Sequence, residues 1–198
     1  MASHGSISSS SFPLLLLLQL SSVLVIFFSC SSTQPIIVFV NGNDALIGTV
    51  CSKTVEPVIC SECLKSDPKS KSADVRGLAG IANNCAATDA NQLYEETYNF
   101  TQTVKDPTLK DIAEGCTIQF LLGKDDFHGV QNNLDVKAYE EAKSILINQI
   151  LPKINYCIDQ FDKKPKLQMP PKLLAGTNIV KNGIDVMIGI LNYLISID

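Results

Sequence analysis

Few side chains in this sequence have the types and spacing that catalysis needs. After the first forty residues there is one histidine, His128, and no neighbour in sequence completes a nucleophile, base and orienting group with it. Common zinc sites use two or more histidines or a doubled Cys-x-x-Cys, and neither pattern occurs. We interpret His128 as a surface or capping residue, and we predict no metal site and no cofactor.

Three acidic doublets are the next candidates for chemistry: Glu95-Glu96, Asp125-Asp126 and Glu140-Glu141. Glycoside hydrolysis needs two carboxylates facing each other across a bond, whereas adjacent helix positions point about 100° apart. A Gly-rich phosphate loop and a Gly-x-Ser-x-Gly elbow are also absent. The doublets therefore indicate solvated helix faces, and we predict that the chain is not an enzyme.

The distribution of charged residues bears on whether the protein binds nucleic acid. The formal net charge is −4, and the 16 Lys and Arg residues are scattered along the chain. Binding to nucleic acid needs a concentrated basic surface that neutralises phosphates. The sequence thus predicts no nucleic acid partner.

The number of cysteines is the most informative feature of the composition. Cys30 lies in an apolar leader, which leaves six cysteines in the remaining chain: Cys51, Cys60, Cys63, Cys85, Cys116 and Cys157. Six cysteines in an exported chain suggest disulfides, with fifteen possible pairings. A redox function for Cys60-x-x-Cys63 would need a preceding strand and a thioredoxin-like unit. A structural bond between Cys60 and Cys51 is the favoured interpretation.

Spacing makes two pairs plausible. Cys51 and Cys60 are separated by eight residues, which suits a clamp across a helical hairpin. Cys116 and Cys157 each lie about twenty residues from a turn predicted near residues 134–136, so antiparallel helices could bring them together. The loop-entropy model assigns such bonds about 3 and about 4 kcal/mol. Cys63 and Cys85 remain as buried thiols or a third bond, and we favour thiols.

The first residues have the layout of a secretion signal. Residues 1–11 are polar, residues 12–28 are apolar, and small residues follow. We predict a signal peptide over residues 1–31, with cleavage as late as residue 42 as an alternative and an uncleaved anchor as another. No transmembrane segment is expected after cleavage. Asn99-Phe100-Thr101 is a candidate site for N-glycosylation, in keeping with this route.

Apolar residues recur at spacings of three and four after Asn43, which predicts an all-α fold. We expect a domain over residues 44–198, with a short helical hairpin over residues 45–66 and an up-down-up-down four-helix bundle over residues 73–198. The four long helices are predicted to run from Asp74 to Val104, from Pro107 to about Asn133, from Val136 to Phe161 and from Leu173 to Ile197.

Local signals support these boundaries. Asp106-Pro107 is typical of an N-cap followed by proline in the first helical turn. Pro152 falls inside the third long helix and predicts a kink rather than an end. The last helix is apolar enough for a membrane anchor, but Asp185 and its amphipathic spacing favour a core helix.

Several segments, in order, resemble the plant invertase and pectin methylesterase inhibitor family. They are Cys51-x8-Cys60, the stretch from Leu64 to Ser70, Ala73 to Leu78, Asp106-Pro107-x-Leu109-Lys110 before Cys116, and Cys157 to Phe161. The resemblance covers nearly everything after Asn43. It implies a secreted or vacuolar four-helix bundle with an N-terminal hairpin, and disulfides Cys51–Cys60 and Cys116–Cys157.

The resemblance also implies a function and a partner. Family members form a 1:1 complex that covers the active-site cleft of a carbohydrate-active enzyme, either pectin methylesterase or acid invertase. Invertase inhibitors often carry Pro-Lys-Phe after the second bundle helix, where this chain has Asp135-Val136-Lys137-Ala138-Tyr139. Since only the lysine matches, pectin methylesterase is the preferred target and cell-wall or vacuolar invertase the second. The expected location is the plant apoplast, with the vacuole as an alternative.

We take the turn after the second bundle helix as the candidate interface, with Asp135, Val136, Lys137 and Tyr139. We add Phe127 from the second bundle helix itself. Aromatic side chains often dominate protein interfaces, which is why Phe127 and Tyr139 are proposed as anchors, although Phe127 also suits a core position. A hypothesis from another class is a small-ligand carrier, which would need a cavity along the bundle axis.

Overall fold

The structure is a computed structural model that describes residues 42–198. These residues form helices, turns and loops, with no strand among them. The predicted all-α fold with a hairpin before a four-helix bundle is confirmed. The signal peptide predicted for residues 1–31 lies outside the described residues.

The helices occur along the chain in the predicted order. The hairpin consists of α1 (Gly42–Cys51) and α2 (Pro57–Ser66), followed by a 3₁₀ turn (Pro68–Ser72). The first two bundle helices are α3 (Val75–Thr103) and α4 (Pro107–Asp135). The third comprises α5 (Tyr139–Ile145), a π-helical turn (Leu146–Ile150) and α6 (Leu151–Asp162), and the fourth is α7 (Pro171–Ile197).

Aspartate side chains cap the two longest helices at their N-termini. The Asp74 carboxylate accepts a hydrogen bond of 2.7 Å from the Gly77 amide at the start of α3. Asp106 accepts one of 2.8 Å from the Leu109 amide at the start of α4, and Pro107 occupies the first turn. Each carboxylate satisfies an amide that has no partner within the helix and lies at the positive end of the helix dipole. The predicted start of the second bundle helix is confirmed.

The third bundle helix continues through Pro152 by changing its hydrogen-bonding pattern. Proline has no amide hydrogen, and its ring collides with the carbonyl four residues earlier in a regular α-helix. Here the π-helical turn Leu146–Ile150 immediately precedes the turn that contains Pro152. The wider turn moves the carbonyls away from the ring, so the helix does not end there.

Apolar side chains from all four bundle helices fill the bundle axis. Those exposed by no more than 1% include Leu78, Leu93, Phe120, Val130, Leu146, Ile150, Ile154, Val180, Ile184 and Met187. Side chains this inaccessible to solvent are typical of close-packed protein interiors. The packing is contrary to the central cavity that a ligand carrier would need.

Helix α7 is long and apolar enough, by length and composition, to cross a membrane, with a mean hydropathy of 1.3. Its buried residues recur from Leu173 to Leu194 and include Val180, Ile184 and Met187 in the core. This amphipathic burial agrees with the predicted core helix.

The hairpin packs closely on α7 at one position. A β-carbon at Gly189 would lie 2.8 Å from the Thr54 α-carbon and 3.0 Å from the Lys53 carbonyl oxygen. Ile47, Val50 and Leu64 of the hairpin belong to the same buried cluster as the bundle core. The hairpin is therefore part of the folded domain.

Candidate protein-binding surface

Three disulfides determine which elements are covalently connected. Cys51–Cys60 closes the hairpin, with its α-carbons 5.5 Å apart, and Cys116–Cys157 joins α4 to α6 at 5.1 Å. These are the two pairs that the family resemblance implies. Cys51–Cys60 links the two helices of the hairpin, and Cys116–Cys157 links the second and third bundle helices.

The third bond corrects our preference for free thiols. Cys63 is bonded to Cys85, with α-carbons 6.2 Å apart, and joins α2 to α3. The thiol interpretation was wrong because sequence spacing does not show how the hairpin lies on α3. Since Cys60 and Cys63 have different partners, the Cys-x-x-Cys sequence is not a redox dithiol here.

The turn after α4 has the hydrogen bonds of a Schellman motif. The Ala138 amide donates to the Asn133 carbonyl at 2.8 Å, and the Lys137 amide donates to the Leu134 carbonyl at 3.2 Å. Lys137 has a φ of 62°, in the left-handed region that glycine normally occupies at this position. Among the described residues no other non-glycine side chain has a positive φ. Such backbone strain is common where a side chain has a function.

A chain of hydrogen bonds holds the end of α4 in place. Asn83, buried in α3, donates to the Phe127 carbonyl at 3.2 Å and to the Gln131 side-chain oxygen at 3.4 Å. Gln131 in turn donates to the Asp135 carboxylate at 2.8 Å. These bonds connect the buried seam between α3 and α4 to the exposed Asp135 at the turn.

Two clefts open beside this turn. The larger, about 560 Å³, is lined by Asp67 and Lys69 from the segment before α3 and by Gln131 and Asp135 from α4. The smaller, about 290 Å³, is bordered by Lys137 and by Leu194, Ile197 and Asp198 at the end of α7. Asp74 and Arg76 line both. We call this region the turn end, defined by Asp67, Lys69, Asp74, Arg76, Asp135, Val136, Lys137 and Asp198.

At the turn end three acidic side chains have partners within the protein, whereas the basic side chains have no ion-pair partner among residues 42–198. The carboxylates of Asp67, Asp74 and Asp135 each accept a hydrogen bond from a nearby group of the protein. In contrast, Lys69, Arg76 and Lys137 form no ion pair with any described residue. Their charges are available to groups on another molecule.

The structure separates the predicted interface residues into two sets. Asp135, Val136 and Lys137 are exposed, and 73% of Val136 is accessible despite its apolar side chain. Phe127 and Tyr139 are exposed by only 2% and 6% and pack in the core. Their selection as surface anchors was wrong, because each lies on the inward stripe of its helix.

Sequence reasoning missed Asp67, Lys69, Asp74, Arg76 and Asp198 as members of this surface. In an antiparallel bundle the start of the first helix lies beside the ends of the second and fourth helices. The predicted bundle topology could therefore have identified these residues.

The side chains considered for catalysis have ordinary structural environments. His128 is exposed on α4. Lys172 lies 3.4 Å from Glu96, Lys143 lies 2.8 Å from Glu140, and Lys153 pairs with Asp126. No group of three His, Cys, Asp or Glu side chains within residues 42–198 is arranged to hold a metal ion.

Two other predicted or unusual side chains lie away from the turn end. Asn99 is exposed on α3, so its glycosylation stays a prediction. Asp89 lines a cleft of about 220 Å³ between α3 and α7, together with Glu96 and Lys172. Burial raises the pKa of the Asp89 carboxyl above its usual value.

Residues 45–188 match the family described as plant invertase/pectin methylesterase inhibitor. The Arabidopsis thaliana protein "Cell wall / vacuolar inhibitor of fructosidase 2" is 30% identical over 166 residues, which cover 83% of this chain and 91% of that protein. The pectinesterase inhibitor of Actinidia deliciosa is 28% identical over 172 residues, which cover 87% and 90%. A crystal structure of a mutant pectin methylesterase inhibitor from Arabidopsis shares the fold, with a TM-score of 0.62 and 18% identity, over 74% of this chain and 95% of that one.

Proposed function

Because the chain belongs to the plant invertase/pectin methylesterase inhibitor family, we propose that it is a secreted protein that inhibits pectin methylesterase. It binds the enzyme in a 1:1 complex, covers the active-site cleft and catalyses no reaction itself. The observation that carries this proposal is the family match over residues 45–188, which spans the hairpin and most of the bundle. The similarity to the pectinesterase inhibitor of Actinidia deliciosa supports the choice of target.

The surface proposed for this contact is the turn end. Val136 offers an exposed apolar side chain, and Lys69, Arg76 and Lys137 of the same surface are cations that have no described ion-pair partner. Protein interfaces usually combine apolar groups with polar groups that stay accessible to solvent. The Schellman turn and the disulfides fix this surface before binding, so little conformational entropy is lost on docking. A contact of about 800 Å² per partner is then enough for a stable complex.

Acid invertase is the second candidate target. The specific observation in its favour is the similarity to the Arabidopsis inhibitor of fructosidase over 83% of this chain. Against it, Tyr139 is buried, so the turn presents a lysine without the accompanying aromatic side chain that the invertase motif has. We therefore place pectin methylesterase first.

Residual enzyme activity tests the proposal directly. The secreted form of the protein is titrated into a plant pectin methylesterase and, separately, into a plant acid invertase at mildly acidic pH. We expect methylesterase activity to fall linearly and to reach its minimum at one equivalent of protein, while invertase activity stays unchanged. Inhibition of invertase alone would transfer the proposal to the second target, and activity of both enzymes at excess protein would overturn it.

The proposed location follows the same logic. The name of the Arabidopsis inhibitor of fructosidase includes the cell wall and the vacuole, and both compartments are reached through the secretory pathway. Disulfides persist in such oxidising compartments and are rare in the cytosol. We propose secretion to the apoplast, with the vacuole as the alternative.

A further inference from the structure

One disulfide differs from the other two in what it connects. Cys51–Cys60 lies within the hairpin and Cys116–Cys157 lies within the bundle. Cys63–Cys85 joins the hairpin to the bundle. Opening it would therefore change how these two parts are held together, whereas opening either of the others would act within one part.

The same disulfide also differs in accessibility. Cys51, Cys60, Cys116 and Cys157 are exposed by 2% or less. Cys63 and Cys85 are both partly exposed. Thiol–disulfide exchange begins when a thiolate attacks one sulfur atom, so its rate depends on access to that atom. A reductant in solution should thus reach Cys63–Cys85 first.

The segment closed by this disulfide forms part of the turn end. Residues 63–85 include the 3₁₀ turn Pro68–Ser72 and the N-cap residue Asp74. Asp67, Lys69, Asp74 and Arg76 within it line the larger cleft together with Asp135 of α4. The disulfide therefore restricts the movement of one side of that cleft.

We propose that Cys63–Cys85 is a redox-controlled lock that sets the mobility of the hairpin and the shape of the turn end. The reductant is a dithiol, either a small molecule or a protein of the thioredoxin class. One of its thiolates attacks a sulfur of Cys63–Cys85 and forms a mixed disulfide, releasing one cysteine thiolate of the protein, which takes up a proton. The second thiol of the reductant, as its thiolate, then displaces the other cysteine. Two electrons and two protons have passed to the protein, and the reductant has become a disulfide.

The expected result of reduction is a looser hairpin in a folded domain. Cys51–Cys60 still closes the hairpin, and its buried side chains Ile47, Val50 and Leu64 still contact the core. The covalent restriction on residues 63–85 is lost. The loop-entropy model predicts that the state in which the hairpin is detached from α3 becomes more populated by about two orders of magnitude. The bond between Cys116 and Cys157 keeps α4 and α6 together.

Differential alkylation tests the first part of this proposal. The native protein is treated with increasing concentrations of a dithiol, free thiols are alkylated at each step, and modified cysteines are identified by peptide mass spectrometry. We expect Cys63 and Cys85 to be modified at least ~10-fold faster than the other four cysteines, since attack on a buried sulfur first requires local opening. Equal rates for the three disulfides, or earlier reduction of another pair, would overturn the proposal.

Hydrogen exchange tests the second part. Protein alkylated only at Cys63 and Cys85 is compared with the oxidised protein, and the variant C63S/C85S provides the same comparison without chemical modification. We expect amides of α1, α2 and the 3₁₀ turn to exchange up to about 100-fold faster, with α4 and α6 unchanged. Unchanged exchange in the hairpin, or a uniform increase over the domain, would refute the lock. Should C63S/C85S fail to fold, the alkylated wild-type protein decides the question.

The effect on inhibition rests on the proposed function and is measured separately. Oxidised and selectively reduced proteins are titrated into the target enzyme under identical conditions. If the oxidised protein inhibits and the reduced protein inhibits at least ~5-fold less tightly, the lock controls the turn end, because an interface that must be ordered on binding loses affinity. Equal inhibition by both forms refutes control of the turn end while the proposed function stands. If the oxidised protein does not inhibit the enzyme, the proposed function is refuted. The hydrogen-exchange experiment then still decides whether the lock exists.

Discussion

Replacing Lys137 by glycine should stabilise the protein and weaken its inhibition. The left-handed conformation at φ 62° costs a residue with a β-carbon about 1–2 kcal/mol, and glycine avoids this cost. Glycine also increases the entropy of the unfolded chain, which offsets about 0.4–1 kcal/mol of the gain. The difference between the midpoints of these two ranges is about 0.8 kcal/mol, and we expect Lys137→Gly to raise the free energy of unfolding by about this amount.

The same substitution removes an exposed cation from the turn end. Truncating an important interface residue costs at least about 1 kcal/mol of binding free energy, or about fivefold in affinity. Inhibition by Lys137→Gly should weaken by this factor or more. The result would be a protein that is more stable and less active.

Two further variants separate these effects. Lys137→Ala removes the cation and keeps the β-carbon, so it should lose inhibition to the same extent without becoming more stable. Lys105→Ala removes an exposed cation between α3 and α4, at the opposite end of α4 from the turn, and should change neither property. Stability is measured by guanidinium denaturation and inhibition by titration into the target enzyme.

Two results would refute this reasoning. A decrease in the stability of Lys137→Gly would show that the left-handed backbone is not under strain. Inhibition by Lys137→Gly and Lys137→Ala equal to that of wild type would show that the Lys137 side chain contributes nothing to binding. The first result concerns the conformation and the second concerns the interface, so each can be judged independently.

Two other predictions concern stability. Gly189→Ala should be less stable than Gly48→Ala by about 1–3 kcal/mol in guanidinium denaturation. The β-carbon at position 189 would meet the Thr54 α-carbon at 2.8 Å, whereas no atom of residues 42–198 beyond its own helical turn lies within 4 Å of a β-carbon at position 48. Both sites gain about 1 kcal/mol of helix propensity, so equal stabilities would contradict the close approach. Asp89→Asn should be more stable than wild type at neutral pH and should lose this advantage on acidification. The raised pKa of Asp89 means that the folded state holds this proton more tightly than the unfolded state does, so the contribution of Asp89 to stability falls as the pH rises from 3.8 through the folded-state pKa. Unfolding curves of both proteins over that range check the sign, and a pH-independent difference would contradict it.

Features determined by local interactions were predictable from the sequence. Asp106-Pro107 marks the start of α4 because a carboxylate cap and a proline both act within one helical turn. The repeat of apolar residues at spacings of three and four likewise indicated the four long helices. Such signals depend on a few neighbouring residues and need no knowledge of the tertiary structure.

Features determined by packing between elements were not predictable. The bond between Cys63 and Cys85 depends on how α2 lies on α3, which no local signal specifies. The burial of Phe127 agrees with the apolar spacing of α4, whereas that of Tyr139 depends on how the first turn of α5 packs on the bundle. Likewise, the clefts at the turn end appear only when the ends of separate helices are brought together.

The order of the three disulfides along the chain has a consequence for biosynthesis. In each bond a cysteine is joined to the next described cysteine in sequence, so the three loops neither overlap nor enclose one another. A chain that enters the secretory lumen from its N-terminus can thus oxidise each pair before the next pair arrives. No native bond has to wait for a distant cysteine, so maturation requires little rearrangement of mispaired cysteines by an isomerase.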